Sequence, residues 1–469
     1  MLHDVIPLRE YRFDTVSSRY IQRALSYIGD ILGIELFIQS GAHTSEITRL
    51  IRNLKDAGVF SSIQSSPSSF GDEPPMVTVT TRDLEGKSVS GGLSTNSPER
   101  ATYAALGEAL ERHIWEHELD YTKNKTEASY LEMDPARTLN PETCVGLSKA
   151  WRESNAAHHV RLDTKLVWHE GYSLTKKTPY YLPLQLISKK HTVTSTEPRI
   201  YVPTTTGLAT AQTKNEARLR GILEVLERDA FMIMWMNQLT LSRIEPNSFV
   251  TKDGTLDTLM RRCAQYRLNV HFVYLMTDAP THAILAVVCD AITHENPMPH
   301  TTIGTSAGKD IEKTAEKALL EALRGRKNAR SRLEKNPSLL TKKPLEIRHT
   351  ERGVYWCAPE RKKLLEFLYA GDMKPAPRAS WEQDDDDAYL ERIIEWARQN
   401  EITIISSSLG TSSKNPTDWH VEFVTIPQLQ PMHQNEAVRY THGHRLHDIP
   451  NRYDVKPLFT HPTEPHPFV

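Results

Sequence analysis

Two stretches of the chain, AALGEALERHIW at 104–115 and RGILEVLERDAF at 220–231, carry the string E-x-x-E-R inside an apolar helical pattern. Side chains three positions apart share one face of an α-helix, with their Cβ atoms about 5–6 Å apart. Each stretch therefore directs two carboxylates the same way, and its apolar neighbours leave no wide polar face to spread their charge. The two pairs are Glu108 with Glu111 and Glu224 with Glu227.

Two like charges at this spacing repel each other, and burial would raise their cost unless a cation compensated them. Mg²⁺ takes oxygen ligands, commonly carboxylates together with phosphate oxygens. Arg112 and Arg228 follow the two pairs directly, and a guanidinium can grip phosphate oxygens as a planar fork. The alternative is a surface helix whose carboxylates form ordinary salt bridges. That alternative suits a single copy, whereas two copies in matching apolar contexts favour a shared metal–phosphate site.

A third segment repeats part of this pattern. TTIGTSAGKD at 301–310 is interpreted as a strand followed by a glycine loop, which leads into a helix with Glu321, Arg324 and Arg326. Such a loop could present backbone N–H groups to an anion at the helix N-terminus, although a glycine loop before a helix is also common without that role. The chain contains neither G-x-x-x-x-G-K-[ST] nor G-x-G-x-x-G after a strand, so the usual P-loop and dinucleotide motifs are absent.

Composition narrows the class of protein. Of 469 residues, 39% are hydrophobic and 25% charged, and the formal net charge is −2. These values are typical of a globular protein and favour neither a nucleic-acid partner nor a membrane. No basic region followed by an apolar run opens the sequence. The four cysteines are scattered without C-x-x-C, so we expect a reducing, cytoplasmic compartment, with neither a zinc site nor a disulfide framework.

The predicted fold class is α/β (α+β), because strand-like and helix-like segments alternate irregularly along a chain long enough for two or three units. VWHEGYSL, TPYYLPLQL, LNVHFVYLMT and HAILAVVCD have strand character. SVSGGLSTNSPE at 88–99 is interpreted as a turn-rich loop, and the acidic run at 384–387 as part of a solvated linker.

These segments resemble a known family. ALGEALER at 105–112, TTTGLATAQTKNEARLRGILEVLERDA at 204–230 and IGTSAGKDIEKTAEKALLEALRGR at 303–326 are similar, in order, to the three ATP-binding segments of the YcaO superfamily. IPQLQPMH, HGHRLHDIP and the terminal PHPFV resemble the C-terminal part of one branch, the D component of azoline-forming peptide cyclodehydratases, which are streptolysin-type heterocyclases. The resemblance implies a YcaO-type fold of mixed sheets and helices over 76–469. Residues 1–75 would then form an N-terminal extension suited to docking.

The resemblance also implies cofactors and site residues. ATP and Mg²⁺ would be bound through Glu108, Glu111, Glu224 and Glu227, with Arg112, Arg228, Glu321 and Arg324 at further nucleotide-binding positions. In the family reaction a Cys, Ser or Thr side chain attacks the preceding backbone carbonyl of a ribosomally made peptide. ATP then phosphorylates the amide oxygen, which leaves as phosphate and yields a thiazoline or oxazoline. A site that stabilises charge on a phosphoryl group suits this chemistry.

Three positions depart from the family pattern. The branch tends to end in P-x-P-x-P, with its C-terminus placed at the active site, whereas this chain has Pro465, Pro467 and Val469 at those positions. Ala104 replaces a usual serine, and Arg324 replaces a frequent glutamine. These departures keep two alternatives open: a YcaO enzyme that forms thioamides or amidines, and a non-catalytic scaffold subunit.

The resemblance further implies a set of partners. They are the precursor peptide, a leader-binding partner protein of the cyclodehydratase complex, a flavin dehydrogenase, and a second copy of the chain in a homodimer.

Overall fold

The computed structural model describes residues 45–66, 74, 77–94, 97–118, 125–144, 160–188, 191, 197–198, 204–292, 295–409, 415–441, 443–457 and 461–468. Most of the expected N-terminal extension, residues 1–44, lies outside these ranges, as does Val469. The α-helices are α1 Ser45–Asp56, α2 Pro98–His113, α3 Lys214–Met236, α4 Thr255–Gln265, α5 Ile311–Lys335, α6 Arg352–Tyr355, α7 Asp386–Gln399 and α8 Arg445–Arg452.

The strands form three sheets. They are β1 Ser62–Ser66, β2 Val77–Arg82, β3 Ser88–Ser94, β4 Lys125–Ser129, β5 Lys165–Ser173, β6 Thr178–Pro183, β7 Leu208–Ala211, β8 Arg243–Ile244, β9 Leu268–Tyr274, β10 His282–Asp290, β11 Thr301–Gly308, β12 Met373–Lys374, β13 Ile405–Leu409 and β14 His420–Thr425. The sheet orders are β1-β2-β3, β11-β10-β9-β8-β12 and β4-β5-β13-β14-β7, with β6 paired to β5. This mixture of sheets and helices confirms the predicted fold class.

The chain divides into two compact units. The first comprises residues 1–69 and 76–109, and the second comprises 70–75 and 110–469. The division falls within α2, so that Glu108 belongs to the first unit and Glu111 to the second. Among the described residues, no helix has the length and apolar character needed to cross a bilayer.

In the first unit, the segment expected to be a turn-rich loop forms strand β3 instead. Its glycines serve close packing, because a Cβ on Gly92 would lie 1.7 Å from the backbone oxygen of Ala101 in α2. The Ser90 hydroxyl also donates to the Ala105 carbonyl at 2.6 Å. The prediction failed because glycine marks a close approach of two backbones as readily as a turn.

In the second unit, α3 contacts both sheets: it lies against β7 and β14 of one and against β10 and β11 of the other. Its last two turns, from Ala230 to Met236, are buried in the main apolar core. Every residue of β10 is buried, and α5 packs across β10 and β11. The helix that carries Glu224 and Glu227 is therefore a central element of this unit rather than a surface helix.

Two further predictions are corrected in this unit. The segment 301–308, expected to end in a glycine loop, is a strand throughout, paired with β10 from Thr301 to Gly308. A Cβ on Gly304 would lie 2.2 Å from the Ala318 carbonyl oxygen, so this glycine allows α5 to approach the strand. The acidic run at 384–387 begins α7 rather than forming a linker, since Asp385 caps that helix by accepting from Ala388 N.

Candidate functional site

The same hydrogen bond occurs three times between a strand and the helix that follows it. In each case a backbone N–H of the strand, or of the turn just before it, donates to a glutamate carboxylate of the helix. The pairs are Gly91 to Glu108 at 3.1 Å, Gly207 to Glu224 at 2.9 Å and Thr305 to Glu321 at 2.9 Å. The first pair lies in the first unit and the other two lie in the second. Each bond fixes one carboxylate oxygen and thereby orients the side chain.

Gly207 can make its bond only because it is glycine. Its φ of +88° lies in the left-handed region, and a Cβ there would be 2.1 Å from the Val424 backbone oxygen. Glycine adopts this conformation without the steric penalty of other residues. The turn therefore directs the Gly207 N–H at Glu224.

Thr305 connects the carboxylates of two helices. Its hydroxyl donates to Glu227 Oε1 at 2.6 Å, while its backbone N–H donates to Glu321. Glu224 and Glu227 lie one turn apart on α3, so three carboxylates converge at the centre of the second unit. Thr305 was missed by sequence reasoning because its segment was interpreted as a loop.

Replacing Thr305 by Val is expected to lower the affinity of this site for Mg²⁺ by about 10- to 100-fold, the usual effect of losing a group that orients a metal ligand. Valine keeps the strand and the N–H bond to Glu321 but leaves Glu227 unanchored. Titration of Mg²⁺ by calorimetry measures the change. Thr302→Val on the same strand is the matched control, since the Thr302 hydroxyl has no hydrogen-bond partner. Equal losses in the two variants would refute the role of Thr305.

The buried carboxylates hold protons unusually tightly. Burial raises the pKa of Glu227 to about 7, although Arg228 opposes the shift and Glu321 and Glu224 reinforce it. Burial likewise raises the pKa of Glu224, against the effects of Arg228 and of the Gly207 N–H. A divalent cation would offset both the free-energy cost of burying these negative charges and the repulsion between them. The donor set therefore fits a Mg²⁺ site.

Arg228 lies between the carboxylates and the end of the chain. Its guanidinium is 3.6 Å from Glu224 and 3.5 Å from Glu227. Burial disfavours its charge, but these carboxylates and that of Glu321 raise its pKa. The guanidinium carbon lies 3.9 Å from the ring centroid of Phe468, an arrangement that cation–π attraction favours.

Other arginines lie near Arg228 and the carboxylates, and their effect is visible in the pKa values of neighbouring side chains. Burial lowers the pKa of His349 to about 4, and the charges of Arg352, Arg228, Arg332 and Arg112 lower it further. Arg112 also opposes the rise in the pKa of Glu224 that burial causes. Arg112 and Arg228 thus lie near the carboxylates, and their role in binding a nucleotide stays a prediction, whereas His349 and Arg332 were not identified from the sequence.

The other candidate residues are placed less centrally. Arg324 is 43% exposed and lies 3.5 Å from Glu321, which puts it at the edge of the site. Glu111 is half-buried on α2, and Glu108 belongs to the first unit. The convergence of Glu108 and Glu111 on the other carboxylates stays a prediction.

The C-terminal segment is docked, not a free proline-rich end. Pro465, His466, Pro467 and Phe468 are all buried. Phe468 packs on Phe231 of α3, with ring centroids 5.7 Å apart, and Trp356 Nε1 donates to the Pro465 carbonyl at 3.1 Å. The segment thereby brings Phe468 to Arg228.

Arg439 holds the start of this segment. Its guanidinium donates to three successive backbone carbonyls, those of Pro462, Thr463 and Glu464. Arg439 is itself fixed by the buried carboxylate of Glu436 at 3.0 Å, which also accepts from Arg352 at 2.9 Å. This clamp, formed by Arg439 and Glu436, was not visible in the sequence.

His433, Glu436 and His466 come together in a buried group with the spacing of metal ligands. The sequence did not indicate this group. Glu436 already neutralises the guanidiniums of Arg352 and Arg439 and accepts from His433 Nε2 at 3.0 Å. A divalent cation would add charge beside the buried Arg352 and the half-buried Arg439, so the geometry favours an ion-pair cluster that supports the tail.

Comparisons with known proteins identify relatives of this chain and solved structures that share its fold. The chain is 26% identical over 168 residues to an uncharacterised protein encoded in the tfuA 3' region of Rhizobium leguminosarum bv. trifolii, a match covering 34% of this chain and 39% of that one. The fold of the present chain is similar to that of a heterocyclase in complex with substrate and cofactor, with a TM-score of 0.70 at 18% identity. The match covers 89% of this chain and 57% of the heterocyclase chain.

Two other solved structures share the fold. YcaO from Methanopyrus kandleri, bound with AMPPCP and Mg²⁺, has a TM-score of 0.58 at 19% identity over 83% of this chain and 91% of that one. The E. coli microcin synthetase McbBCD complex with pro-MccB17 bound has a TM-score of 0.59 at 14% identity, over 82% of this chain and 92% of the chain it matches. The family model described as YcaO cyclodehydratase, ATP- and Mg²⁺-binding, matches residues 94–430. The chain therefore belongs to the YcaO family, whose cofactors are ATP and Mg²⁺.

Proposed function

We propose that this protein is an ATP-dependent cyclodehydratase that forms thiazoline or oxazoline rings from Cys, Ser or Thr residues of a ribosomally made precursor peptide. The observation that carries the proposal is the convergence of Glu224, Glu227 and Glu321 beside Arg228. Arg228 in turn contacts the docked C-terminal segment through Phe468. Family membership supports a cyclodehydratase-type activity.

Each residue of the site has a role that follows from its position. The three carboxylates would hold Mg²⁺, oriented by the hydrogen bonds from Gly207 and Thr305. Arg228 and Arg112 would bind phosphate oxygens, and Arg324 would contribute at the edge. When bound, ATP supplies the phosphoryl group that turns an amide oxygen into a leaving group. Pro465, Pro467 and Val469 would set the position of the chain terminus at the reacting peptide.

The partners remain part of the proposal. The similarity in fold to the E. coli microcin synthetase McbBCD complex with pro-MccB17 bound supports a peptide substrate and partner proteins. That one partner binds the leader of the precursor peptide is carried over from the family resemblance. Residues 1–75 would dock that partner. A flavin dehydrogenase and a homodimer are carried over from the family resemblance alone.

The test combines the purified chain, its partner protein, ATP and a precursor rich in Cys, Ser and Thr. Loss of one water per ring, with release of phosphate, would support azoline formation. A mass change matching sulfur or amine incorporation would indicate a thioamide- or amidine-forming enzyme. An unchanged precursor mass, together with tight binding of the partner, would identify a scaffold subunit and refute the proposal.

Mg²⁺ binding is expected to release about one proton near pH 6.5, because Glu227, with a pKa of about 7, is largely protonated without a cation. Below pH 7 the apparent affinity for Mg²⁺ should fall roughly tenfold per pH unit. Calorimetry in two buffers of different ionisation enthalpy counts the protons. Wild-type protein that releases none would contradict the assignment of Glu227 as a ligand, and Glu227→Gln should release fewer protons than the wild type, with Glu224, whose pKa burial also raises, as the remaining source.

The same pKa sets the sign of the pH dependence of stability. Without metal, the unfolded Glu227 ionises near its ordinary pKa of 4.5, while the folded residue keeps its proton up to about 7. The contribution of Glu227 to the free energy of unfolding is therefore fully present below pH 4.5. It declines between 4.5 and 7 and is lost above that pH.

A further inference from the structure

A pocket with a cavity volume of about 70 Å³ lies beside the carboxylates, on the side of the six-stranded sheet. We call it the side pocket. Its walls come from the end of β14 and the chain after it, from α3, and from the segments at Cys144, Leu186 and Thr204. Val225 faces it from α3, and Arg228 and Met432 line it as well.

The side pocket is apolar and has one charged end. Among its described lining residues, Arg228 alone is charged. Arg228 Nη1 donates to Met432 Sδ at 3.5 Å, while the rest of the guanidinium faces Glu224 and Glu227. An occupant would therefore need an uncharged, largely apolar body, and its end at Arg228 would reach the carboxylate site.

Besides Arg228 Nε, which faces Glu227, the described lining residues include two polar atoms that have no hydrogen-bond partner, Gln430 Oε1 and Thr425 Oγ1. Gln430 is 1% exposed, and its amide nitrogen donates to the Tyr440 carbonyl at 2.8 Å. That bond leaves Oε1 as a fixed acceptor. A buried acceptor without a donor is costly, and a backbone N–H of an extended peptide is a donor of the required kind.

The lining suits a peptide better than a nucleoside. A nucleoside brings ribose hydroxyls, for which a carboxylate is a common partner. The described part of the lining contains no carboxylate. Largely apolar walls, with one unpartnered amide oxygen and one unpartnered hydroxyl, match a peptide residue with an apolar side chain.

We propose that the side pocket binds an uncharged apolar side chain of the substrate peptide, next to the residue that is cyclised, and so helps to select the modified position. The backbone N–H of that residue donates to Gln430 Oε1, and its carbonyl lies towards Arg228. The inference rests on the proposed function in taking the substrate to be a peptide.

Cys144 provides a direct probe. It is half-buried in the pocket lining, whereas Cys263, Cys289 and Cys357 are buried. Burial raises the pKa of those three thiols to about 12, 11 and 12, so iodoacetamide should alkylate Cys144 first. A precursor with Leu before the cyclised residue should slow this alkylation at least about tenfold. Neither MgATP alone nor a precursor with Asp at that position should slow the alkylation of Cys144. Protection by MgATP but not by the peptide would make the pocket a nucleotide site and overturn the inference.

A matched pair of variants tests the pocket without the probe. Val225→Phe fills it, whereas Leu223→Phe enlarges a residue of α3 that is also partly buried but does not line the pocket. We expect Val225→Phe to raise the KM for the Leu-containing precursor about tenfold, with an unchanged Kd for ATP, and Leu223→Phe to leave both constants unchanged. Equal effects of the two variants would refute the inference.

Failure of the side-pocket inference can be distinguished from failure of the proposed function. Ring formation without protection of Cys144 overturns the side pocket and leaves the proposed function standing. Absence of both ring formation and phosphate release overturns the proposed function itself.

Discussion

Glu227→Gln is expected to lower the kcat of ATP-dependent modification by about 10²- to 10³-fold, the scale of losing a principal electrostatic contact in a reaction site. The amide keeps the shape of the side chain and can still accept from Thr305, but it cannot carry the charge that a divalent cation needs. Rates of phosphate release and of mass loss from the precursor measure the effect. Wild-type activity in this variant would remove Glu227 from the metal site.

The fold of this variant should survive, which separates a lost ligand from a lost structure. Above pH 7, an ionised Glu227 destabilises the metal-free protein, since burial raises its pKa to about 7. Gln removes that charge, and we expect the free energy of unfolding to rise by on the order of 3 kcal/mol at pH 8. Thermal unfolding without Mg²⁺ measures this. Glu395→Gln, on the half-exposed face of α7, is the control and should change neither activity nor stability.

Removing residues 465–469 is expected to lower kcat by at least about 10²-fold, because positioning groups contribute on this scale. Without Phe468, the Arg228 guanidinium loses the ring that lies 3.9 Å from it and becomes free to turn away from the carboxylates. Precursor binding should change less than about threefold, since affinity is expected to come mainly from contacts outside this segment. A truncated protein with unchanged kcat would show that the tail does not position the site.

Two point variants resolve how the tail acts. Phe468→Ala leaves the clamp of Arg439 and Glu436 intact and should reproduce most of the loss of kcat. Thr463→Ala changes an exposed side chain whose backbone carbonyl accepts from Arg439, so it should be neutral. Adding a synthetic peptide of residues 461–469 to the truncated protein should restore part of the activity. Failure of Phe468→Ala to affect kcat would place the function of the tail elsewhere.

The sequence predicted well wherever the signal was local. Helical spacing correctly placed Glu224 and Glu227 on one face of a helix, α3. The predictions from sequence were wrong where a glycine could belong either to a loop or to a strand packed closely against a helix. Gly92 and Gly304 were interpreted as loop residues, whereas each lies in a strand pressed against a helix backbone. Only the position of the neighbouring helix distinguishes these cases.

Contacts between residues distant in the sequence could not be predicted, for a different reason. Thr305 joins Glu227 to Glu321, and Arg439 binds the backbone of the tail. Neither threonine nor arginine has a spacing that reveals such a partner. The tail was assigned a role only through family resemblance, and its contact with Arg228 through Phe468 became visible only in the structure.

By itself, the sequence determined the family, the cofactors that belong to it and the helical faces that carry the acidic pairs. These depend on motifs and on the 3.6-residue period, which act within a few turns of chain. The tertiary structure alone decided which carboxylates meet, what orients them, and that the chain end reaches Arg228. Those outcomes depend on how two sheets pack around α3, because burial there brings distant residues into contact and shifts their pKa values.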